Sequence, residues 1–292
     1  MTLHLDDRQR AMLLEMGVRV WLPGAAFALA HQGGGDTAAM DPVRLPAQRR
    51  VVNPTAPAAS PSAPASATPP AAVPAAPLAP AWVPAPGLQV LQTLDWQALA
   101  QTAAQCQACG LCAGRTHSTL DAARAAAARW MVVGDPPDDQ EDSAGQAFVG
   151  DSGALLDNML KAVGAVRSFG GALPQGTDAA YATNVSKCRV PAGRVPQAAE
   201  LAQCSAYLQR EIALVRPQVI VAMGRFANQV LLAESPQVAT LPLGRQRGTV
   251  YHYRGIPVVV TYAPQALIRN PADKAKAWAD LCLAMDVLAQ TN

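Results

Sequence analysis

Trp130-Met131-Val132-Val133-Gly134-Asp135-Pro136-Pro137 is the stretch that decides the fold. Its apolar residues run without interruption and stop at turn chemistry. That pattern predicts a strand buried on both faces of a sheet. Tyr181 to Val185, Val219-Ile220-Val221-Ala222-Met223-Gly224 and Pro257 to Tyr262 read the same way. Between them, Ala154 to Val163, Gln197 to Val215 and Phe226 to Leu232 carry helical periodicity, and Lys274 to Leu288 closes the chain as a helix. Strands alternating with helices predict an α/β fold: three α/β/α layers around a central, mostly parallel sheet. Ligands of such sheets sit beyond the carboxyl ends of the strands. Three of those ends carry special residues: Gly134-Asp135, Asn184 to Cys188 and Tyr262-Ala263-Pro264.

Composition divides the rest. The 292 residues carry a net charge of +2, too little to argue for nucleic acid by itself. Residues 1–32 hold a short amphipathic helix over 5–21, with Met12, Leu13, Met16 and Val20 at helical spacing and Pro23 enforcing a stop. Residues 33–94 form a Pro/Ala-rich linker. Residues 51–94 contain no charged side chain, and Pro54 to Pro86 holds 11 of the 25 prolines. Such a stretch favours extended, polyproline-like states and reaches on the order of 100 Å at roughly 3 Å per residue. Residues 95–292 form the folded domain. No apolar run is long enough for a membrane span and no signal peptide opens the chain, so a cytoplasmic monomer is expected.

In that setting paired cysteines read as ligands or redox thiols rather than disulfides. Cys106-x-x-Cys109 forms one cluster, which Cys112 extends. Cys188 and Cys204 form another, 16 residues apart. That separation is too wide for a zinc knuckle. Four thiolates from two segments suit a 4Fe–4S cluster, with zinc as the alternative. Cys112 reads as a spare and Cys282 as a core thiol of the last helix.

From here the chain resembles the type 4, iron–sulfur uracil-DNA glycosylases. The resemblance is carried by Gly134-Asp135-Pro136-Pro137-Asp138, Glu141-Asp142, Gly145-Gln146-Ala147-Phe148-Val149-Gly150 with Gly153-Ala154-Leu155-Leu156, Thr183-Asn184-Val185-Ser186-Lys187-Cys188-Arg189, and Thr261-Tyr262-Ala263-Pro264. It implies that family's fold and an enzyme that excises uracil from single- or double-stranded DNA, a base-excision repair activity. Phe148 would stack on an extruded uracil. Asn184 would read the base edge, and backbone at Gly134 would line the pocket. Asp135 would act as the catalytic carboxylate near the sugar. Arg245, Arg247 and Arg269 would meet phosphates. Cys106, Cys109, Cys188 and Cys204 would hold the 4Fe–4S cluster.

Three departures bear on catalysis. Where the family has His before Pro in its second motif, this chain has Ala263. Losing such a donor costs ~2.7–4 kcal/mol, or ~10²–10³ in rate. Asp135 replaces a longer Glu, and Pro137-Asp138 replaces Pro-Gly. His252 on the preceding strand is a candidate replacement imidazole, although a solvated strand position suits it better. A second resemblance links Leu14-Glu15-Met16-Gly17-Val18-Arg19-Val20-Trp21 to the N-terminal peptide of the psi subunit of the bacterial clamp-loader assembly. It implies an alternative, non-catalytic role, with residues 5–23 docking on a replisome protein.

Overall fold

The computed structural model describes residues 88–120, 127–167 and 173–290. The expected N-terminal helix and most of the expected linker lie outside them. At the linker's end, Leu88–Leu91 makes one helical turn and Leu91 is fully buried. The packed region therefore begins before residue 95, where the sequence placed the boundary.

Six strands build one sheet in the order β2-β3-β1-β4-β6-β5. They are β1 (Trp130–Gly134), β2 (Ala165–Arg167), β3 (Asp178–Asn184), β4 (Val219–Met223), β5 (Val250–Tyr253) and β6 (Ile256–Thr261). All neighbours pair parallel except β5 with β6. That pair turns at Arg254 and Gly255, both at positive φ, as a two-residue hairpin loop requires.

Alternate residues of each strand feed opposite layers. Trp130, Val132, Val219, Val221 and Val259 enter one core with Leu156, Met159, Trp278 and Leu281. Met131, Val133, Ile220, Ala222, Val258 and Val260 enter the other with Leu201, Leu208, Ile212 and Leu231. The strands are therefore apolar on both faces, and the layered α/β expectation holds. The main helices are α1 (Trp96–Ala104), α2 (Asp139–Ala144), α3 (Gly150–Ala162), α4 (Ala198–Val215), α5 (Arg225–Leu231), α6 (Pro264–Arg269) and α7 (Lys274–Gln290). A third cluster packs α1, through Leu99 and Ala103, against Tyr207 of α4. This arm carries the first cysteines. No helix among the described residues is long and apolar enough to cross a membrane.

β1 is the switch point. The chain leaves it toward β2 and β3 on one side, then returns to β4 on the other. Register aligns Gly134 with both Asn184 and Met223, and Met223 with Thr261. The carboxyl ends that the sequence singled out thus form one rim, where a ligand site is expected.

Candidate active site and thiol cluster

Gly134, Asp135, Pro136, Glu141, Phe148, Ser152, Asn184, Ala263, Pro264 and Gln265 line one small cavity on that rim. Three of the expected substrate residues, Gly134, Phe148 and Asn184, meet in it. The Phe148 ring lies directly over Gly134: a Cβ there would stand 2.5 Å from Phe148 Cζ. Only glycine permits that contact. Phe148 itself holds φ at 56°, a left-handed conformation costly for a bulky side chain.

Several contacts hold the strained residue. Its N–H donates to Glu141 Oε1 at 2.5 Å, and its carbonyl accepts from Arg167 Nη1 at 2.8 Å. Gly153 lets that carbonyl approach, since a Cβ at 153 would lie 2.2 Å from it. Glu141 also accepts from the Asp138 N–H at 2.9 Å, closing a capping box at the start of α2. Burial raises the Glu141 pKa against those bonds. Glu141 was quoted in the motif but not named as a site residue. The Asp138-x-x-Glu141 capping pattern was the signal available.

Asn184 Nδ2 donates to the Asp135 carbonyl at 3.0 Å, and Asn184 Oδ1 is buried with no hydrogen-bond partner. A buried amide oxygen in that state is costly unless a ligand donor satisfies it. Asp135 serves chiefly as a helix anchor. Oδ1 accepts from the Phe226 and Ala227 N–H groups at 2.7 and 3.1 Å, and Oδ2 from Arg225 N–H at 3.2 Å. Gly224, at φ 112°, lets this carboxylate approach α5. Burial raises the Asp135 pKa, opposed by the three amides.

The cavity measures about 30 Å³, room for about two waters. Ser152 and Gln265 also line an open cleft of about 720 Å³ with Asp138, Asp139, Asp151, Ile268 and Arg269. Gln265 Nε2 donates to Asp138 Oδ2 at 2.6 Å, bridging the border between the two spaces. Ala263 lines the cavity with a methyl group. His252 is no substitute. It pairs with Pro257, four residues before Thr261, and faces solvent far from the rim.

The three expected phosphate contacts diverge. Arg245 and Arg269 are exposed. Arg247 is withdrawn: its Nε pairs with Asp280 Oδ2 at 2.6 Å, its Nη2 donates to the Lys276 carbonyl, and its guanidinium stacks on Tyr262 at 5.0 Å. It ties α7 to the sheet, so we assign it no DNA contact.

Cys106, Cys109, Cys112, Cys188 and Cys204 line a second cavity beside Lys187 and Tyr207. The predicted convergence of the two segments is present, and Cys112 joins it. Arg115 donates to Cys188 Sγ at 3.2 Å and to the Cys106 carbonyl at 3.1 Å. Burial pushes Cys188 up to about 11 against the pull of Arg115, and Cys204 up to about 12. A cationic centre would reverse that cost and hold the sulfurs as thiolates. The donor set therefore fits a thiolate-bound metal group. Among the described residues, no three His, Cys, Asp or Glu are set to hold a single ion. Cys282 packs beside the α3–α7 core, as expected.

A family model described as "Uracil DNA glycosylase superfamily" matches residues 122–282. The chain belongs to the uracil DNA glycosylase superfamily. Curated relatives, each named a type-4 uracil-DNA glycosylase, include proteins from Sulfurisphaera tokodaii, Archaeoglobus fulgidus and Pyrobaculum aerophilum. Identity is 33% over 144 residues, 35% over 145 and 34% over 157 respectively. These matches cover 48%, 48% and 52% of this chain, and 61%, 67% and 74% of the relatives. The chain thus spans less than two thirds of the Sulfurisphaera protein. Within this superfamily fold, Phe148, Asn184, Cys188 and Cys204 fall inside the matched residues, and Cys106 and Cys109 precede them. The psi-like reading of the N-terminal helix gains no support from these comparisons.

Proposed function

We propose that this chain excises uracil from DNA by hydrolysing the N-glycosidic bond. One observation carries the reading. A phenylalanine ring held over a glycine shares a cavity with an asparagine whose buried amide oxygen lacks a donor, at the strand-end rim of a glycosylase-superfamily sheet.

A base in a duplex must leave the stack to reach such a pocket. Phe148 offers it a flat apolar surface. Uracil presents a ring N–H between two carbonyl oxygens, and the Asn184 amide oxygen accepts from that N–H. The pocket holds only about two waters, so base entry requires the Asp138–Gln265 bridge to part. Asp135 Oδ2 bears a single bond of 3.2 Å and keeps lone-pair capacity for a water near the sugar. Its ionised form also opposes the positive charge that develops there. With Ala263 in place of an imidazole, stabilisation of the departing base falls to the remaining dipoles, which implies a slower enzyme. Exposed Arg245 and Arg269 supply sequence-independent phosphate attraction.

Cys106, Cys109, Cys188 and Cys204 would hold a 4Fe–4S cluster. The thiols come from two separate segments, Cys106, Cys109 and Cys112 on the arm and Cys188 and Cys204 beyond β3, which suits a multinuclear centre; zinc is the alternative. When bound, the cluster supplies a covalent clamp between arm and sheet. Visible absorbance bleached by dithionite would distinguish iron–sulfur from colourless zinc.

The test is incubation of anaerobically purified protein with single- and double-stranded oligonucleotides containing uracil, followed by alkali. Strand cleavage lost in Asn184→Ala is expected. No cleavage at stoichiometric protein would overturn the reading.

A further inference from the structure

Lys187 is fully buried, with its side chain 2% exposed, and it pairs with Glu211, which is 0% exposed, at 2.5 Å. Such a pair is weak grounds for stability, because desolvation offsets much of the attraction and apolar residues of similar volume often do as well. The geometry shows what an apolar residue could not do. An ammonium has three donors. Two go to Thr183 Oγ1 and the carbonyl of Asn184, both at 2.7 Å, while the Glu211 carboxylate pairs with the charge through Oε2. Glu211 is fixed in turn, with its Oε1 accepting from Tyr181 and Thr183 hydroxyls, both at 2.8 Å. The Lys187 backbone N–H points the other way and donates to Cys204 Sγ at 3.4 Å. A single residue therefore touches both the backbone of the pocket amide and a thiol of the cysteine cluster.

We propose that Lys187 is the positioning residue that fixes Asn184 against the base edge and couples that placement to the thiol cluster. This deepens the glycosylase reading and rests on it. Asn184 ends β3, with its side-chain amide held from the pocket side by the Asp135 carbonyl and its own backbone carbonyl held from the core side by Lys187. Lys187 holds that carbonyl from inside the core. Without it, β3 would still pair with β1 through Thr183, but its last residue would lose its inner support.

The test replaces the pair together, as Lys187→Met with Glu211→Gln, so that no charge remains and the new amide keeps a carbonyl for the Tyr181 and Thr183 hydroxyls. Melting temperature and visible absorbance are expected to stay near wild type. Single-turnover excision of uracil is expected to fall about 10²-fold, the scale of an ångström-sized misplacement, with KM little changed. Amide exchange over 183–188 should quicken while the rest of the sheet is unaltered. If the double variant does not fold, Lys187→Leu with Glu211→Gln decides. It likewise leaves no buried charge and removes the donor to the Asn184 carbonyl, and the same fall in kcat is expected. Wild-type kcat with wild-type exchange in the folded variant overturns the inference while the glycosylase reading stands. A wild-type protein that releases no base removes both.

Discussion

At the scale of single residues, the pocket is built from close approaches that tolerate few substitutions. Gly134→Ala would place a methyl 2.5 Å from the Phe148 ring. The ring must then leave its seat. Excision is expected to drop about 10²-fold, with a lower melting temperature, as measured by single-turnover kinetics and calorimetry. Ala263→His runs the other way. It restores an imidazole beside the departing base, and single-turnover rates should rise, by up to ~10²–10³. Asp135 gives a pH signature. Burial holds its pKa above the ordinary 3.8, and the ionised form is the useful one. Activity should therefore fall as pH drops, with a midpoint above 3.8, and Asp135→Asn should lose that limb of the pH–rate profile. The outer bridge predicts a gain: Gln265→Ala should raise the affinity for free uracil in a calorimetric titration, because the entrance loses its 2.6 Å contact.

At the scale of elements, α2 links the two sites. Its capping box aims Glu141 at the Phe148 backbone, while the next residue, Asp142, accepts from Thr116 N–H at 3.0 and 3.1 Å on the cysteine arm. β1, β4 and β6 were legible because a strand buried on both faces must be apolar throughout. β2, with three residues at the sheet edge, gave no such run. α2 and α6, six residues each, give too few turns for a helical period to show, and α2 is mostly polar. The anchoring role of Asp135 was not legible for another reason. Its amide partners at 225–227 become neighbours only once β4 lies beside β1, some ninety residues along the chain. Phe148's positive φ is likewise set by Glu141, Arg167 and Gly153 together. Arg247 looked like any surface arginine until α7 brought Asp280 to it.

At the scale of the molecule, cysteines of an arm and of the sheet line one cavity, and the proposed cluster would clasp the two together. The arm packs by itself through Leu99, Ala103 and Tyr207, and Arg210 Nε donates to the Leu94 carbonyl at 2.6 Å. Removing the proposed cluster should therefore loosen the arm without unfolding the sheet. Chelation is expected to speed amide exchange across 96–120 and leave β1, β3 and β4 protected. The spacing of the cysteines made their convergence readable from sequence, since the two segments that carry them do line one cavity. The most direct measurement of the central claim is the mass of base released in one turnover from strands containing uracil or thymine, with wild-type protein and Phe148→Ala. The account requires uracil from the first strand only, and a large loss in the variant. Uracil retained by the wild type at stoichiometric concentration would contradict it.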